Sequence, residues 1–276
     1  SRFWPFSRTN VPKQFLDFFG TGKSLLQMTV ERVSTLVDKD RIVLVTNESY
    51  ADMIRQQLPE IKESNILLEP ARRNTAPCIC WAAHHIFAQD PEASIMTLPS
   101  DHLILKEMAF IKAMDEGMTF VENNDGLLTL GIKPTSPETG YGYIQKGMQV
   151  IGSDDTMKVK SFTEKPNLEM AKMLIATGEF FWNSGIFIWK AQTIREEMEK
   201  WLPEITGLFK GWEHILGTPV ESEFIARAFT DSANISIDYG VMEKTSRAWI
   251  CPVSFGWSDF GTWESLYNYI PTKDCN

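Results

Sequence analysis

The chain has 276 residues, 43% hydrophobic and 23% charged, a composition that suits an ordinary globular protein with a sizeable core. Its 27 basic and 36 acidic residues leave a formal net charge of −9, which excludes general nucleic-acid binding, because that needs a basic stripe. No stretch approaches the roughly 18 apolar residues of a membrane helix, and Ser1-Arg2-Phe3-Trp4-Pro5 lacks the apolar core and cleavage site of a signal peptide. The expectation is therefore no membrane association and a cytoplasmic location.

In chain order, the first segment is polar and loop-like, with no strand ahead of it. A parallel α/β sheet normally begins with a strand whose following turn holds phosphates, so residues upstream of Ser1 are expected to be missing. Ser24 and Gln27 form a plausible capping box, and Leu26, Val30, Val33 and Val37 recur at helical spacing. Ile42–Thr46, Ile66–Glu69 and Ser94–Leu98 are continuous apolar runs, the pattern of strands covered on both faces. Cys78 and Cys80 match no metal-ligand spacing and read as buried free thiols, and the adjacent His84 and His85 read as structural. Phe110, Met114, Met118 and Val121 mark another helix. Farther on, Tyr141–Gln145 and Met157–Phe162 look like paired strands joined by a turn at Gly152-Ser153-Asp154-Asp155. A helix near Leu168–Thr177, a strand at Gly185–Trp189 and a helix carrying Ile194, Met198 and Trp201 complete the pattern. Strands separated by helices imply an α/β fold with a mixed, mostly parallel sheet. No linker or repeat divides the chain, so residues 1–276 are expected to form one domain.

Several short segments carry candidate chemistry. Leu98-Pro99-Ser100-Asp101-His102 places a carboxylate directly after a buried strand, and Trp257-Ser258-Asp259-Phe260-Gly261 supplies another in an aromatic, glycine-rich turn. Alone, each aspartate reads more simply as a helix cap or turn residue. Thr163-Glu164-Lys165-Pro166 ends a strand and could be an exposed ion pair. Asn183, in Phe181-Trp182-Asn183-Ser184-Gly185, could close a turn or hydrogen-bond a sugar hydroxyl. Pro137-Glu138-Thr139-Gly140-Tyr141-Gly142-Tyr143 has two glycines that would let backbone approach a ligand closely, or form a β-turn.

The order of these segments resembles the mannose-1-phosphate guanylyltransferases. The resemblance is carried by Ser1-Arg2-Phe3-Trp4-Pro5-Phe6-Ser7-Arg8 with Pro12-Lys13-Gln14, Glu69-Pro70-Ala71-Arg72-Arg73-Asn74-Thr75-Ala76-Pro77 and Pro99-Ser100-Asp101-His102. It continues through Glu138-Thr139-Gly140-Tyr141-Gly142, Phe162-Thr163-Glu164-Lys165-Pro166 and Trp182-Asn183-Ser184-Gly185. Ser236-Ile237-Asp238-Tyr239 and Trp257-Ser258-Asp259-Phe260-Gly261-Thr262-Trp263 end it. The family's glycine-rich loop would precede Ser1, and its members commonly extend past the segment matching Trp263.

The resemblance implies a Rossmann-like nucleotidyltransferase fold, its central sheet flanked by helices. It also implies transfer of GMP from GTP to mannose 1-phosphate, with Mg2+ as cofactor and a homodimer as the assembly. Arg2 and Lys13 would flank the triphosphate, Asp101 and Asp259 would hold the metal, and Lys165 would hold the sugar phosphate. Gly140, Glu164 and Asn183 would read the sugar. Glu69, Asn74, Thr75 and Ser100 would bind the nucleotide, with a carboxylate suited to guanine's N1–H and amino group. The alternatives are a glucose-1-phosphate nucleotidyltransferase using another triphosphate, and a non-catalytic regulatory relative.

Overall fold

Local signals account for several of the helix and strand positions. The computed structural model describes residues 3–149, 155–261 and 263. Helix α1 (Leu25–Val33) starts on the predicted capping box. The Gln27 N–H donates to Ser24 Oγ at 3.2 Å, and the Ser24 N–H donates to Gln27 Oε1 at 2.9 Å. Strands β1 (Leu44–Asn47) and β2 (Ile66–Glu69), with α2 (Ala51–Gln57) between them, form a parallel pair. Helix α3 (Thr75–Gln89) leads to β3 (Ser94–Thr97) and the short β4 (Leu103–Ile104). Helix α4 (Glu107–Asn123) buries Phe110, Met114 and Val121 as its periodicity predicts.

The chain continues through β5 (Leu127–Ile132), β6 (Tyr143–Gln149), β7 (Met157–Thr163), α5 (Leu168–Ala176) and β8 (Phe180–Lys190). It then forms α6 (Ala191–Trp201), α7 (Pro203–Thr206), α8 (Glu221–Asp231), β9 (Ala248–Val253) and β10 (Trp257–Ser258). Strands β6 and β7 pair as predicted, although residues 152–154 of their predicted turn lie outside the described residues.

The mixed α/β architecture agrees with expectation, but the expected preponderance of parallel pairing does not hold in the main sheet. Its six strands run in the order β3-β8-β5-β9-β7-β6. Among the described residues only β5 and β9 pair in parallel, and the other five pairings are antiparallel. The reason is the later strand β8. Strands β3 and β5 run the same way around the α4 crossover, but β8 inserts between them with opposite direction, so each meets an antiparallel neighbour. Alternation of strands and helices reports strand direction and is silent about which strands become neighbours.

Side-chain alternation along the central strands separates two cores. Leu127, Phe187 and Trp189 face the cluster built with α3, α6 and α8, whereas Leu128, Leu130, Ile186 and Ile188 face α4 and α5. Strands β1 and β3, expected to be covered on both faces, are only half-buried along their length. A cavity of about 950 Å3 borders both, with Leu44, Val45, Ile95, Met96 and Ser100 in its wall. The thiols of Cys78, Cys80 and Cys251 are free. No helix among the described residues is long and apolar enough to cross a membrane.

Candidate active site

Strand β8 organises the second cavity. Its C-terminal half pairs with β3 and its N-terminal half with β6, so the end of β3 and the start of β6 converge near Asn183. The β5–β8 register shifts there, because Thr129 pairs with Phe187 but Gly131 pairs with Asn183. Ser184 Oγ donates to the Leu130 carbonyl at 2.7 Å, and Gly185 takes φ +71°, a conformation open to glycine at little cost. Around this bulge lies a cavity of about 370 Å3. Its wall includes Lys13, Asp101, Lys165 and Asp259 together with Gly140, Glu164 and Asn183. Seven of the predicted site residues, spread over almost the whole chain, thus share one cavity. Arg2 lies outside the described residues.

One end of this cavity is built on Lys13. Its ammonium donates to the carbonyl oxygens of Asp259 at 2.6 Å and Phe260 at 3.0 Å, and pairs with Asp101 Oδ2 at 3.1 Å. Asp259 Oδ1 accepts from the Tyr141 hydroxyl at 2.7 Å and from the Gly261 N–H at 3.1 Å. Phe260 holds a left-handed φ of 51°, which turns both carbonyls toward the lysine at a cost typical of functional turns. The Trp257 indole donates to His102 Nδ1 at 3.1 Å, which leaves Nε2 facing Asp101 Oδ1 at 4.0 Å.

The other end is built on Glu164 and Lys165, at the close of β7. Lys165 also has a left-handed φ, 47°, and its ammonium reaches back to Glu164 Oε1 at 2.6 Å. The pair is asymmetric: the Lys165 side chain is 54% exposed and that of Glu164 only 8%. Burial pulls Lys165 down, but the hydrogen bond and charge of Glu164, with Asp238, outweigh it and raise its pKa. Glu164 Oε2 is buried with no hydrogen-bond partner among the described residues. A methyl group at Gly142 would overlap that same oxygen, so this glycine makes room for the carboxylate.

Asn183 donates through Nδ2 to Asp238 Oδ1 at 2.8 Å, and its Oδ1 accepts from the Gly185 N–H at 3.1 Å. Thr129 Oγ1 lies 3.2 Å from the same oxygen. Asp238 also lines the cavity, a placement the sequence reading missed. It sat in a matching segment, but a lone aspartate in Ser-Ile-Asp-Tyr carries no local signal for a site. Burial, then the charge of Glu164, push its carboxyl up to about 6, against the opposing pull of its own N–H, Asn183 and Lys165.

The four predicted nucleotide residues do not line this cavity. Asn74 takes φ 67° and caps α3, its Oδ1 accepting from the Thr75 N–H at 2.9 Å. Thr75 Oγ1 accepts from the Ile237 N–H at 2.9 Å, tying α3 to the segment that bears Asp238. Ser100 accepts from Thr29 through its backbone carbonyl at 3.3 Å. Glu69 ends β2 with Oε1 buried and unpartnered among the described residues, and burial raises its pKa.

Residues 1–273 match the family profile described as nucleotidyl transferase. The chain is 40% identical to mannose-1-phosphate guanylyltransferase 2 of Escherichia coli O157:H7, covering 97% of this chain and 57% of that one. It is also 40% identical to a mannose-1-phosphate guanylyltransferase of Salmonella montevideo, over 100% of this chain and 59% of the relative. The chain therefore spans little more than half the length of these curated relatives. A solved structure from Thermus thermophilus, described as a mannose-1-phosphate geranyltransferase, superposes with a TM-score of 0.85 at 30% identity. That match covers 98% of this chain and 76% of the other.

Proposed function

Because the chain belongs to the nucleotidyl transferase family, we propose that it transfers GMP from GTP to mannose 1-phosphate, forming GDP-mannose and pyrophosphate. The observation that carries this reading is the single cavity holding Lys13, Asp101 and Asp259 at one end and Glu164, Lys165 and Asn183 at the other. The names of the bacterial relatives direct the choice of base and sugar.

A transfer between two polyanions requires charge neutralisation and in-line positioning, and no side-chain nucleophile. Lys165 holds the sugar phosphate after exchanging its bond to Glu164 for the phosphate oxygens. Lys13, with Arg2, holds the triphosphate. An oxygen of mannose 1-phosphate then attacks the α-phosphorus of GTP, and pyrophosphate leaves with the electrons of the broken P–O bond. Glu164, Asn183 and the Gly140 backbone orient the sugar. Ser100, Asn74, Thr75 and Glu69 remain the nucleotide contacts of this reading, with a carboxylate suited to guanine's N1–H and amino group, although none of the four lines this cavity.

The cavity's two lysines and four carboxylates sum to a formal charge of −2 when all are ionised, a poor host for two phosphates by themselves. Asp101 and Asp259 offer hard oxygen donors in the number that suits Mg2+ bound jointly with substrate phosphates. When bound, the ion supplies charge neutralisation at the reacting phosphate. The free thiols of Cys78, Cys80 and Cys251 suit a reducing compartment, and a cytoplasmic reaction and a homodimeric assembly are part of this proposal.

The test is pyrophosphate release with GTP, Mg2+ and mannose 1-phosphate, run beside dTTP with glucose 1-phosphate. Release with the first pair alone supports the reading. Release with the second pair alone moves the assignment to another nucleotidyltransferase, and silence with every pair moves it to a non-catalytic relative.

A further inference from the structure

Asp238 has no part in the roles assigned above, yet its position is built with care. It opens a five-residue π-helical turn, Asp238–Met242, a form of helix that tends to occur at functional sites. The flanking Ile237, Val241 and Met242 are locked into the core, and the Ile237 N–H is tied to Thr75. The carboxylate is therefore held by packed structure on both sides.

Asn183, the expected sugar reader, is largely committed elsewhere. Its carbonyl oxygen takes the Gly185 N–H, and one of its two amide hydrogens goes to Asp238 Oδ1. The other acceptors in the cavity wall on this side are the carboxylates of Asp238 and Glu164. Two carboxylates beside one lysine match a hexose phosphate, which presents hydroxyl donors next to a single phosphate.

We propose that Asp238 binds the hexose of the sugar phosphate, its carboxylate accepting a hydrogen bond from a ring hydroxyl while Asn183 holds that carboxylate in place. This assignment rests on the transferase reading above.

The experiment compares the wild-type protein with Asp238→Asn, which keeps size and shape. KM and kcat are measured for mannose 1-phosphate and for its 2-, 3-, 4- and 6-deoxy analogues at saturating GTP. The expected result is a KM for mannose 1-phosphate raised about ten- to hundredfold, the range for a hydrogen bond to a charged group, with the KM for GTP unchanged. One deoxy analogue should lose the same factor in the wild type and lose nothing further in the variant. An unchanged KM for mannose 1-phosphate, or equal losses for every analogue in both proteins, overturns the assignment. Should the wild type release no pyrophosphate, the transferase reading fails on its own. Calorimetric titration of mannose 1-phosphate then decides Asp238, with equal binding by both proteins, or none by either, counting against it. Asp238→Ser serves the same comparisons if the asparagine variant folds poorly.

Discussion

Replacing Asp238 by asparagine should make the protein more stable near neutral pH while it weakens sugar-phosphate binding. The carboxyl is pushed from 3.8 up to about 6, so the folded state holds its proton more tightly than the unfolded chain does. A group raised in this way favours folding fully below pH 3.8, and the contribution is lost as pH climbs through about 6. Above that pH the wild type carries an ionised Asp238 close to Glu164, only partly offset by Lys165 and the Asn183 amide. The full shift corresponds to about 3 kcal/mol. Because the residue is only half-buried, water and salt screen it, and about 1–2 kcal/mol is the realistic gain. Asparagine keeps an acceptor for Asn183 and removes the charge. Denaturant unfolding of both proteins at pH 4, 5, 6 and 7.5 would show a stability gap that is small at pH 4 and opens toward pH 7.5. A gap of constant size, or a variant less stable than wild type at pH 7.5, would refute the reasoning.

Three further outcomes follow from the same geometry. Gly142→Ala should displace the Glu164 carboxylate, costing about 1–3 kcal/mol by overpacking and raising the KM for mannose 1-phosphate well above any change for GTP. Thermal melts beside steady-state kinetics check both halves. Asp101→Asn should lower turnover by about a hundredfold or more, while circular dichroism shows the fold retained, since its pair with Lys13 remains partly open to water; full activity at ordinary Mg2+ would sink the metal role. Ser24→Ala removes the α1 cap, and also a 2.6 Å bond to Gln57, so unfolding should become easier by about 1–2 kcal/mol with kinetics unchanged.

Much of this protein was legible before any fold was known, because the relevant signals are local. The capping box at Ser24 and Gln27, the α4 stripe and the β2 run each depend on residues a few positions apart, and each formed where periodicity placed it. The loops bearing Asp101, Glu164, Lys165 and Asp259 were equally visible as strand ends and turns. Their meeting was not, since Lys13 reaches a carbonyl 246 positions away and no spacing in a chain encodes that distance. Asp238 and the steric role of Gly142 stayed hidden for the same reason: the first depends on a π-turn anchored to α3 through Thr75, the second on a side chain arriving from β7. Sheet order belonged to tertiary structure as well. The alternation of strands and helices specifies that β3 and β5 run the same way, but only the packing of the whole domain could place β8 between them and bring both halves of the cavity to its bulge.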